Sequence, residues 1–218
     1  MRIVAFADTH QFHAGLALPP GDVLVCAGDA CRAGDRDELD EFLAWFAAAP
    51  HRHKVFVAGN HDVCLQERAV MQDARRAWPG VTLLQDEGVV LDDVRFWGSP
   101  WTPAFHDWAF MLPRGPALAA RWSAIPEGVD VLVTHGPPQG ILDDVTGYRG
   151  VPADAPVDER HAGCADLAAR VRVVRPRLHL FGHIHTGRGI HDEDGVRFVN
   201  CTTWEAEQPV TVVDLPAA

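Results

Sequence analysis

"LHLFGHIHTGRG" spans residues 178–189 and joins an apolar run, a glycine and two histidines. The run Leu178–Phe181 has the length of a strand, and its unbroken hydrophobicity is typical of a strand buried on both faces. His183 and His185 follow it one residue apart, and residues i and i+2 of an extended chain face the same side. We therefore expect both imidazoles to face one site and Ile184, between them, to pack away from it.

The same order of apolar run and metal-competent side chain recurs along the upstream sequence. Most of these side chains stand beside a glycine, which lets backbones approach closely. They are, in chain order, Asp8 and His10; Asp29; Asn60, His61 and Asp62; and His135. Ligands bind at the carboxyl ends of strands in layered α/β sheets, so these loops are expected to meet at one rim. One such fragment alone is more often a turn or a satisfied core residue, but their shared order predicts a metal site.

Strand-length apolar runs and amphipathic segments together predict an α/β fold. The runs are Ile3–Ala7, Val23–Ala27, Val55–Ala58, Val81–Leu84, Val94–Trp97, Val131–Thr134, Leu178–Phe181, Val196–Asn200 and Thr211–Leu215. The predicted helices, each followed within two residues by a proline, are Asp37–Ala49, Gln66–Trp78 and Gly163–Val174. Residues 98–115, which are aromatic, and residues 136–162 predict long surface loops, a kind that is often functional. The 218 residues are expected to form a single domain over 1–218.

The chain is acidic, with a formal net charge of -11 and a single lysine, Lys54. We expect no extended nucleic-acid face, since such a face needs clustered basic residues. Bound metal ions would reverse the field locally and let an acidic protein bind a phosphate. No apolar stretch reaches the roughly 20 residues that a membrane helix needs. The 5 cysteines form no C-x-x-C pair, which favours reduced, buried thiols and a cytoplasmic protein.

The ordered motifs D-x-H, G-D, G-N-H-D, H and G-H-x-H resemble the calcineurin-like metallophosphoesterase family. They span Asp8 to His185 and thus cover most of the chain. The short segments "SPW", "THGPP" and "FGHIH" are similar to those of the small metallophosphoesterase-domain proteins of the fetal-brain type and their bacterial relatives. The resemblance implies a four-layer α/β fold, in which two packed mixed β-sheets are flanked by helices.

The resemblance also implies a role for each matched residue. One divalent ion would be held by Asp8, His10 and His185, a second by Asn60, His135 and His183, and both by the bridging Asp29. His61 would be the acid that protonates the leaving oxygen or stabilises its charge, and Asp62 would support His61 or its loop. Two ions about 3.5–4 Å apart would neutralise phosphoryl oxygens and supply a bridging hydroxide. The nitrogen and oxygen ligands suit Mn, Fe, Zn, Co or Ni, with Mn favoured, and no matched position is a thiolate.

These features predict a dimetal hydrolase of small phosphoesters, namely a phosphodiesterase of nucleotides or cyclic nucleotides that uses a metal-bridging hydroxide. The alternatives are a phosphomonoesterase or protein phosphatase, and a non-catalytic nucleotide-binding regulatory protein with the same fold. Protein phosphatases of the superfamily read G-D-x-x-D-R-G, whereas "GDACRAG" places Arg32 at the second aspartate. The usual partner that orients His61 is thus missing from that position, which disfavours a protein phosphatase.

Two further residues are candidate substrate contacts, each with an ordinary structural alternative. Arg32 could bind a substrate phosphate, as guanidinium groups often do, or be an exposed loop residue. Trp101, in the aromatic loop 98–115, could stack on a nucleobase or plug the edge of a sheet.

Overall fold

Within residues 1–216, which the computed structural model describes apart from the side chains of residues 149, 157 and 158, the strands form two larger sheets and one short pair. Strands β1 to β13 are, in chain order, Arg2–Phe6, Val23–Cys26, His53–Val57, Thr82–Leu84, Glu87–Leu91, Val94–Ser99, Thr102–Pro103, Met111–Leu112, Val131–Thr134, Leu178–Phe181, Gly189–Glu193, Val196–Asn200 and Thr211–Asp214. The first sheet has the order β13-β1-β2-β3-β4, and the second has the order β11-β12-β10-β9-β6-β5.

The helices pack on the outer faces of the two sheets. Helices α1 to α5 are Arg36–Ala48, Arg68–Ala77, Pro116–Ser123, Val157–Arg160 and Ala165–Val174. Helix α1 begins where Asp35 accepts a hydrogen bond from the Glu38 N–H, which is an N-cap. Its buried stripe, with residues at helical spacing, consists of Leu39, Phe42, Leu43 and Phe46.

Three hydrophobic clusters fill the spaces between four layers. The cluster between the two sheets includes Ala5, Val57 and Val133. A second cluster lies between the first sheet and helix α1, with Phe6 packed against Phe42. The third lies under α3 and α5 on the second sheet and holds residues such as Trp122, Leu132 and Val171. The expected four-layer α/β fold, with two mixed sheets and flanking helices, is therefore confirmed.

The central strands of each sheet run parallel, so their carboxyl ends share one rim. Strands β1, β2, β3 and β4 are parallel neighbours, as are β6, β9, β10 and β12. The two rims are joined where the Ala7 N–H donates to the Cys201 carbonyl at 3.1 Å and the Thr203 N–H donates to the Ala7 carbonyl at 2.9 Å. This connection brings the loops after β1, β2, β3, β9 and β10 together at one end of the sheets.

Every predicted strand and helix is present, with its ends displaced by two residues or fewer. The sequence prediction omitted strands β5 and β11, which are the antiparallel edges of the second sheet, and the short helices α3 and α4. The aromatic loop 98–115 also contains a small parallel pair, β7 and β8. No helix among the described residues is both long and apolar enough to span a bilayer.

Candidate metal centre

The predicted ligands lie on sharp turns that directly follow strands. Asp8 comes just after β1, Asp29 just after β2 and His183 just after β10. These three residues have left-handed backbone, with φ of 57°, 56° and 68°. This conformation costs a non-glycine residue about 1–3 kcal/mol and is concentrated at functional sites. The strands therefore end abruptly and leave their polar side chains at the rim.

The "GHIH" segment is not extended, contrary to the sequence prediction. Strand β10 ends at Phe181, His183 is left-handed, and His185 opens a short 3-10 turn. Both imidazoles nevertheless line one cleft, because the turn brings them to the same side. Ile184 is buried, yet it also lines that cleft and does not pack wholly away from it.

Two of the motif glycines are required by close backbone approach. A Cβ at Gly59 would lie 2.3 Å from Asp29 Oδ1, and a Cβ at Gly182 would lie 2.5 Å from Asp8 Oδ2. Any larger residue would displace the carboxylates that the site needs. The glycines in "GNHD" and "GHIH" therefore belong to the site geometry.

Asp8, His10 and His185 form what we call the wide half-site. One ligand atom from each lies within 4.8 Å of the others. His185 Nε2 is 3.8 Å from Asp8 Oδ1, and His10 Nε2 is 4.0 Å from Asp29 Oδ2. His10 Nδ1 faces the Cys31 carbonyl at 3.3 Å. Because a carbonyl only accepts, that nitrogen carries the proton, and Nε2 presents its lone pair to the half-site.

Asn60, His135 and His183 form what we call the narrow half-site. His135 Nε2 is 2.9 Å from Asn60 Oδ1 and 3.4 Å from Asp29 Oδ1. The rings of His135 and His183 have centroids 4.9 Å apart. The His183 N–H donates to both carboxylate oxygens of Asp8, at 3.0 and 3.1 Å. Asp29 thus contacts both half-sites, and the backbone of His183 connects them a second time.

The environment of His135 tests whether the narrow half-site fits a cation. Its Nδ1 lies 2.9 Å from the Ala27 carbonyl, so the neutral ring places its proton there. Its Nε2 lone pair then faces the oxygens of Asn60 and Asp29, an arrangement that repels unless a proton or cation lies between them. Nitrogen and oxygen ligands about 2.1 Å from a divalent ion are about 3.0–3.5 Å apart, close to the observed separations. The buried His and Asp clusters are therefore consistent with a two-metal site.

The electrostatics of the cluster agree with that reading. Burial opposes a charge on His135, but the carboxylate of Asp29 outweighs burial and raises the His135 pKa to about 9. Burial likewise opposes ionisation of Asp29, yet His135 and His10 hold the Asp29 pKa well below its usual range. Burial, and then the charge of His135, lowers the pKa of His183 to about 3, so its imidazole is neutral. A proton on His135 thus takes the place that a cation would occupy.

His61 lies beside the wide half-site and is oriented by backbone. Its Nδ1 donates to the Arg32 carbonyl at 2.8 Å, and its N–H donates to Asp29 Oδ1 at 2.7 Å. Its ring lies against those of His10 and Trp108, with centroids 4.6 and 4.2 Å away. The Arg32 carbonyl therefore supplies the orienting contact that the missing aspartate at position 32 would have provided. His61 Nε2 remains as the nitrogen that can act on a substrate.

Glu38 fixes the loop that orients His61. One of its carboxylate oxygens accepts the N–H groups of Arg32, Ala33 and Gly34, at 3.0, 2.8 and 2.8 Å. Sequence reasoning missed this residue. The D-x-x-E spacing of Asp35 and Glu38 at the start of a helix is a variant of the capping signature and could have indicated it.

Asp62 holds the two central loops together. Its buried carboxylate accepts the N–H groups of Gly59 at 2.7 Å, Cys31 at 2.9 Å and Asp29 at 3.0 Å. Burial, and then the negative charge of Asp29, raises the Asp62 pKa. Of the two roles expected for Asp62, the observed contacts favour support of the loop over direct contact with the His61 ring.

A cleft of about 410 Å³ lies over both half-sites. Its floor includes His10, Asp29, Asn60, His183 and His185, with His61 at the side. Its walls come from the two long loops and are formed by Pro103, Ala104, Phe105, His106, Trp108, Arg114, Val145, Tyr148, Val151 and Ala162. The volume falls in the range of small-molecule sites.

The two candidate substrate contacts lie elsewhere. The side chain of Arg32 is exposed, and its backbone contacts His61. The Trp101 indole donates to Asp86 at 2.8 Å, and Arg121 stacks over its ring at 4.2 Å. Neither is among the residues that line the cleft within the described part of the chain. The aromatic loop reaches the cleft through Phe105 and Trp108 instead, and the guanidinium there belongs to Arg114.

Comparison with known proteins agrees with the motifs and the fold. The profile of the calcineurin-like phosphoesterase family matches residues 1–187. The chain is 36% identical over 241 aligned residues to human metallophosphoesterase domain-containing protein 1, covering 99% of this chain and 71% of that protein. It is 35% identical over 212 residues to a UPF0046 protein of Caenorhabditis elegans, covering 92% of this chain and 69% of that protein.

Solved structures share the fold at low sequence identity. A phosphopantetheinyl hydrolase from Mycobacterium tuberculosis superposes with a TM-score of 0.63 at 17% identity, covering 99% of this chain and 98% of the other. A protein from Thermus thermophilus gives a TM-score of 0.63 at 13% identity, covering 98% of each chain. With the family profile spanning the predicted ligands from Asp8 to His185, the chain belongs to the calcineurin-like phosphoesterase family of metal-dependent enzymes.

Proposed function

We propose that the protein is a dimetal phosphodiesterase that hydrolyses small phosphodiesters, such as cyclic nucleotides and other diesters of nucleotides. One observation carries the proposal: Asp29 lies between the two half-sites at the floor of a cleft, 4.0 Å from His10 Nε2 and 3.4 Å from His135 Nε2. His61 lies beside them, with its ring held by the Arg32 carbonyl. A structural metal site would be closed on all sides, whereas this one opens onto a cleft of small-molecule size.

The donor set defines what the site would hold. The wide half-site and Asp29 would bind one divalent ion, and the narrow half-site and Asp29 would bind the other, with Mn favoured over Fe, Zn, Co and Ni. When bound, such ions neutralise phosphoryl oxygens and activate water. Asp8 and Asp29 contribute two negative charges against four positive ones, so the floor of the cleft would attract an anionic ester in spite of the acidic chain.

His61 supplies the proton in this proposal. Its Nδ1 is committed to the Arg32 carbonyl, so the proton that reaches the leaving oxygen resides on Nε2. Glu38 holds the loop that carries this carbonyl, and Asp29 fixes the His61 backbone. The imidazole is therefore positioned by the same loops that position the ligands.

Hydrolysis of bis-p-nitrophenyl phosphate and p-nitrophenyl phosphate by the Mn-loaded protein tests the proposal. A phosphodiesterase should show the larger kcat/KM for the diester. The reverse preference would favour a phosphomonoesterase, and a panel of phosphopeptides would then test for a protein phosphatase. Tight nucleotide binding without turnover of either ester, in protein shown to hold two metals, would favour a non-catalytic regulatory protein.

A further inference from the structure

The walls of the cleft differ sharply from its floor. Loop 136–162 contributes Val145 and Val151, and the aromatic loop 98–115 contributes Phe105 and Trp108. Among the described residues that line the cleft, Arg114 supplies the guanidinium that stands against this apolar lining. Arg114 is exposed, so an anion that enters the cleft can reach its guanidinium, and the positive charge favours an anion over a neutral group there.

Arg114 is held by backbone and not by a carboxylate. Its Nη1 donates to the Gly163 carbonyl at 2.7 Å, and its Nη2 donates to the Ala162 carbonyl at 3.0 Å. Among the side chains that the structure describes, no carboxylate forms an ion pair with Arg114, although Arg121 of the neighbouring helix α3 pairs with Asp86. The guanidinium of Arg114 is thus fixed in place by carbonyls, without a described carboxylate to neutralise its charge.

The two carbonyl contacts leave donors for a ligand. A guanidinium has five N–H groups in one plane, and the carbonyls of Ala162 and Gly163 use two of them. Planar N–H pairs match the oxygens of a phosphate or carboxylate. The carbonyl partners lie at the base of loop 136–162, whereas the predicted metal ligands stand at strand ends. Within the described part of the chain, no hydrogen bond joins Arg114 to a predicted ligand.

We propose that Arg114 forms a second anion subsite, so that the preferred substrates carry a further phosphate or carboxylate beyond the scissile phosphodiester. The proposal rests on the proposed phosphodiesterase function. The floor of the cleft takes the scissile group, the apolar walls take the group between, and Arg114 takes the terminal anion. Arg114 is here a specificity-determining residue, and it takes no part in the bond cleavage.

Matched substrates test the subsite in the Mn-loaded protein. The p-nitrophenyl ester of thymidine 5′-phosphate is compared with the same ester bearing a 3′-phosphate, and with one bearing a 3′-O-succinyl group. We expect the 3′-phosphate or the succinyl carboxylate to lower KM about tenfold. The two derivatives distinguish a phosphate-specific subsite from one that takes any anion.

Variants at position 114 distinguish an anion subsite from a purely structural role of Arg114. Arg114→Met should abolish the KM advantage of the anionic substrates over the parent ester, and Arg114→Lys should keep part of that advantage. Arg170→Met is the matched control, because Arg170 also donates to a backbone carbonyl, that of Ile125, but does not line the cleft. This control should keep the full advantage.

Some results would overturn the subsite. Equal KM for all three esters in the unchanged protein would do so, as would an equal loss for all three in Arg114→Met and Arg114→Lys, which would place the residue on the scissile phosphate or in the fold. The Kd values of thymidine 3′,5′-bisphosphate and thymidine 5′-phosphate, measured by calorimetry, test the subsite without any need for turnover. If no ester is cleaved but the bisphosphate still binds about tenfold more tightly through Arg114, the proposed function fails and the subsite stands.

Discussion

The narrow and wide half-sites share Asp29 but differ in spacing. In the narrow half-site His135 Nε2 lies 2.9 and 3.4 Å from two oxygens, whereas the corresponding separations in the wide half-site are 3.8 and 4.0 Å. The narrow cluster already has the separations of ligands around an ion, so it holds its acceptors together against their own repulsion. The wide cluster has room to contract. The comparison teaches that the narrow half-site is pre-organised and depends more strongly on a positive occupant.

Removing the shared carboxylate should break both half-sites at once. Asp29→Ala leaves neither cluster with a bridging oxygen, so metal analysis should find far fewer than two ions per chain. We expect kcat to fall about 10⁴-fold, since metal ions supply several kcal/mol of catalysis. Asp37→Asn, which changes an exposed carboxylate in the first turn of α1, should leave metal content and rate unchanged. Two ions bound at full affinity in Asp29→Ala would show that the half-sites do not share a ligand.

Replacing His61 tests whether this histidine is a metal ligand of the wide half-site. His10, Asp29 and His61 also bring ligand atoms within 4.8 Å of one another, so His61 could itself be a ligand. We expect His61→Ala to keep both metals and to lower kcat about 10³-fold, with the larger loss for substrates that have poor leaving groups. His191→Ala, at an exposed histidine outside the cleft, is the control. Loss of a metal in His61→Ala would move His61 into the wide half-site.

Single ligand replacements should distinguish the two half-sites. His185→Ala removes a ligand from the wide half-site only, so one ion should bind about 100-fold more weakly while the other is retained. His135→Ala removes the fixed imidazole of the narrow half-site and should weaken the other ion by more. Calorimetric titration of the metal-free variants with Mn²⁺ measures both. An equal weakening of both ions in His185→Ala would mean that the half-sites are one coupled unit.

The pH dependence of the metal-free protein should show the smallest effect. The His135 pKa is raised to about 9, so its contribution to stability is full below about 6.5, the pKa of an unfolded histidine, and is lost as the pH rises through 9. The His183 pKa is lowered to about 3, so His183 lowers stability as the pH falls from about 6.5 towards 3. We expect Tm to decline from pH 6.5 to 9, by about 2–4 °C for each kcal/mol lost.

The metal controls this pH dependence. A bound ion displaces the proton from His135, so the decline between pH 6.5 and 9 should shrink when Mn²⁺ is added to protein first treated with chelator. His135→Gln should likewise flatten it, because glutamine does not titrate. A Tm of the metal-free protein that rises with pH over this interval would contradict the assignment of the proton to His135.

The strands could be predicted from the sequence wherever both of their faces are buried. Leu178–Phe181 is buried throughout, so its apolar run is unbroken. The edge strand Glu87–Leu91 buries Leu91 alone, and the edge strand Gly189–Glu193 buries none of its residues. Both pair on one side only, so neither carries an apolar run of full strand length. Helix α3 carried a usable signal, because Pro116 stands at its first turn and Leu118 and Trp122 are four residues apart and buried.

The ligand residues could be identified from the sequence, but the orientation of their side chains could not. Asp8, Asn60 and His185 were indicated by strand ends and by motif order. The extended geometry expected for "GHIH" was wrong, because the chain turns at a left-handed His183. That turn is held by residues distant in sequence: Asp8 accepts the His183 N–H, and Asn200 donates to the Ile184 carbonyl. The orienting partner of His61 could not be predicted, since a backbone carbonyl can accept from any loop that approaches it.

The sequence by itself determined which residue types stand at the strand ends and therefore the α/β layers, the candidate ligands and the metal chemistry they suit. Local hydrophobicity and motif spacing are sufficient for this, because each depends only on neighbours along the chain. The tertiary structure alone decided how far apart those ligands lie, which carbonyl orients His61 and which arginine faces the cleft. His135 Nε2 and Asn60 Oδ1, for example, are 2.9 Å apart although their residues are 75 positions apart in the sequence. Only the packing of the two sheets sets such a distance.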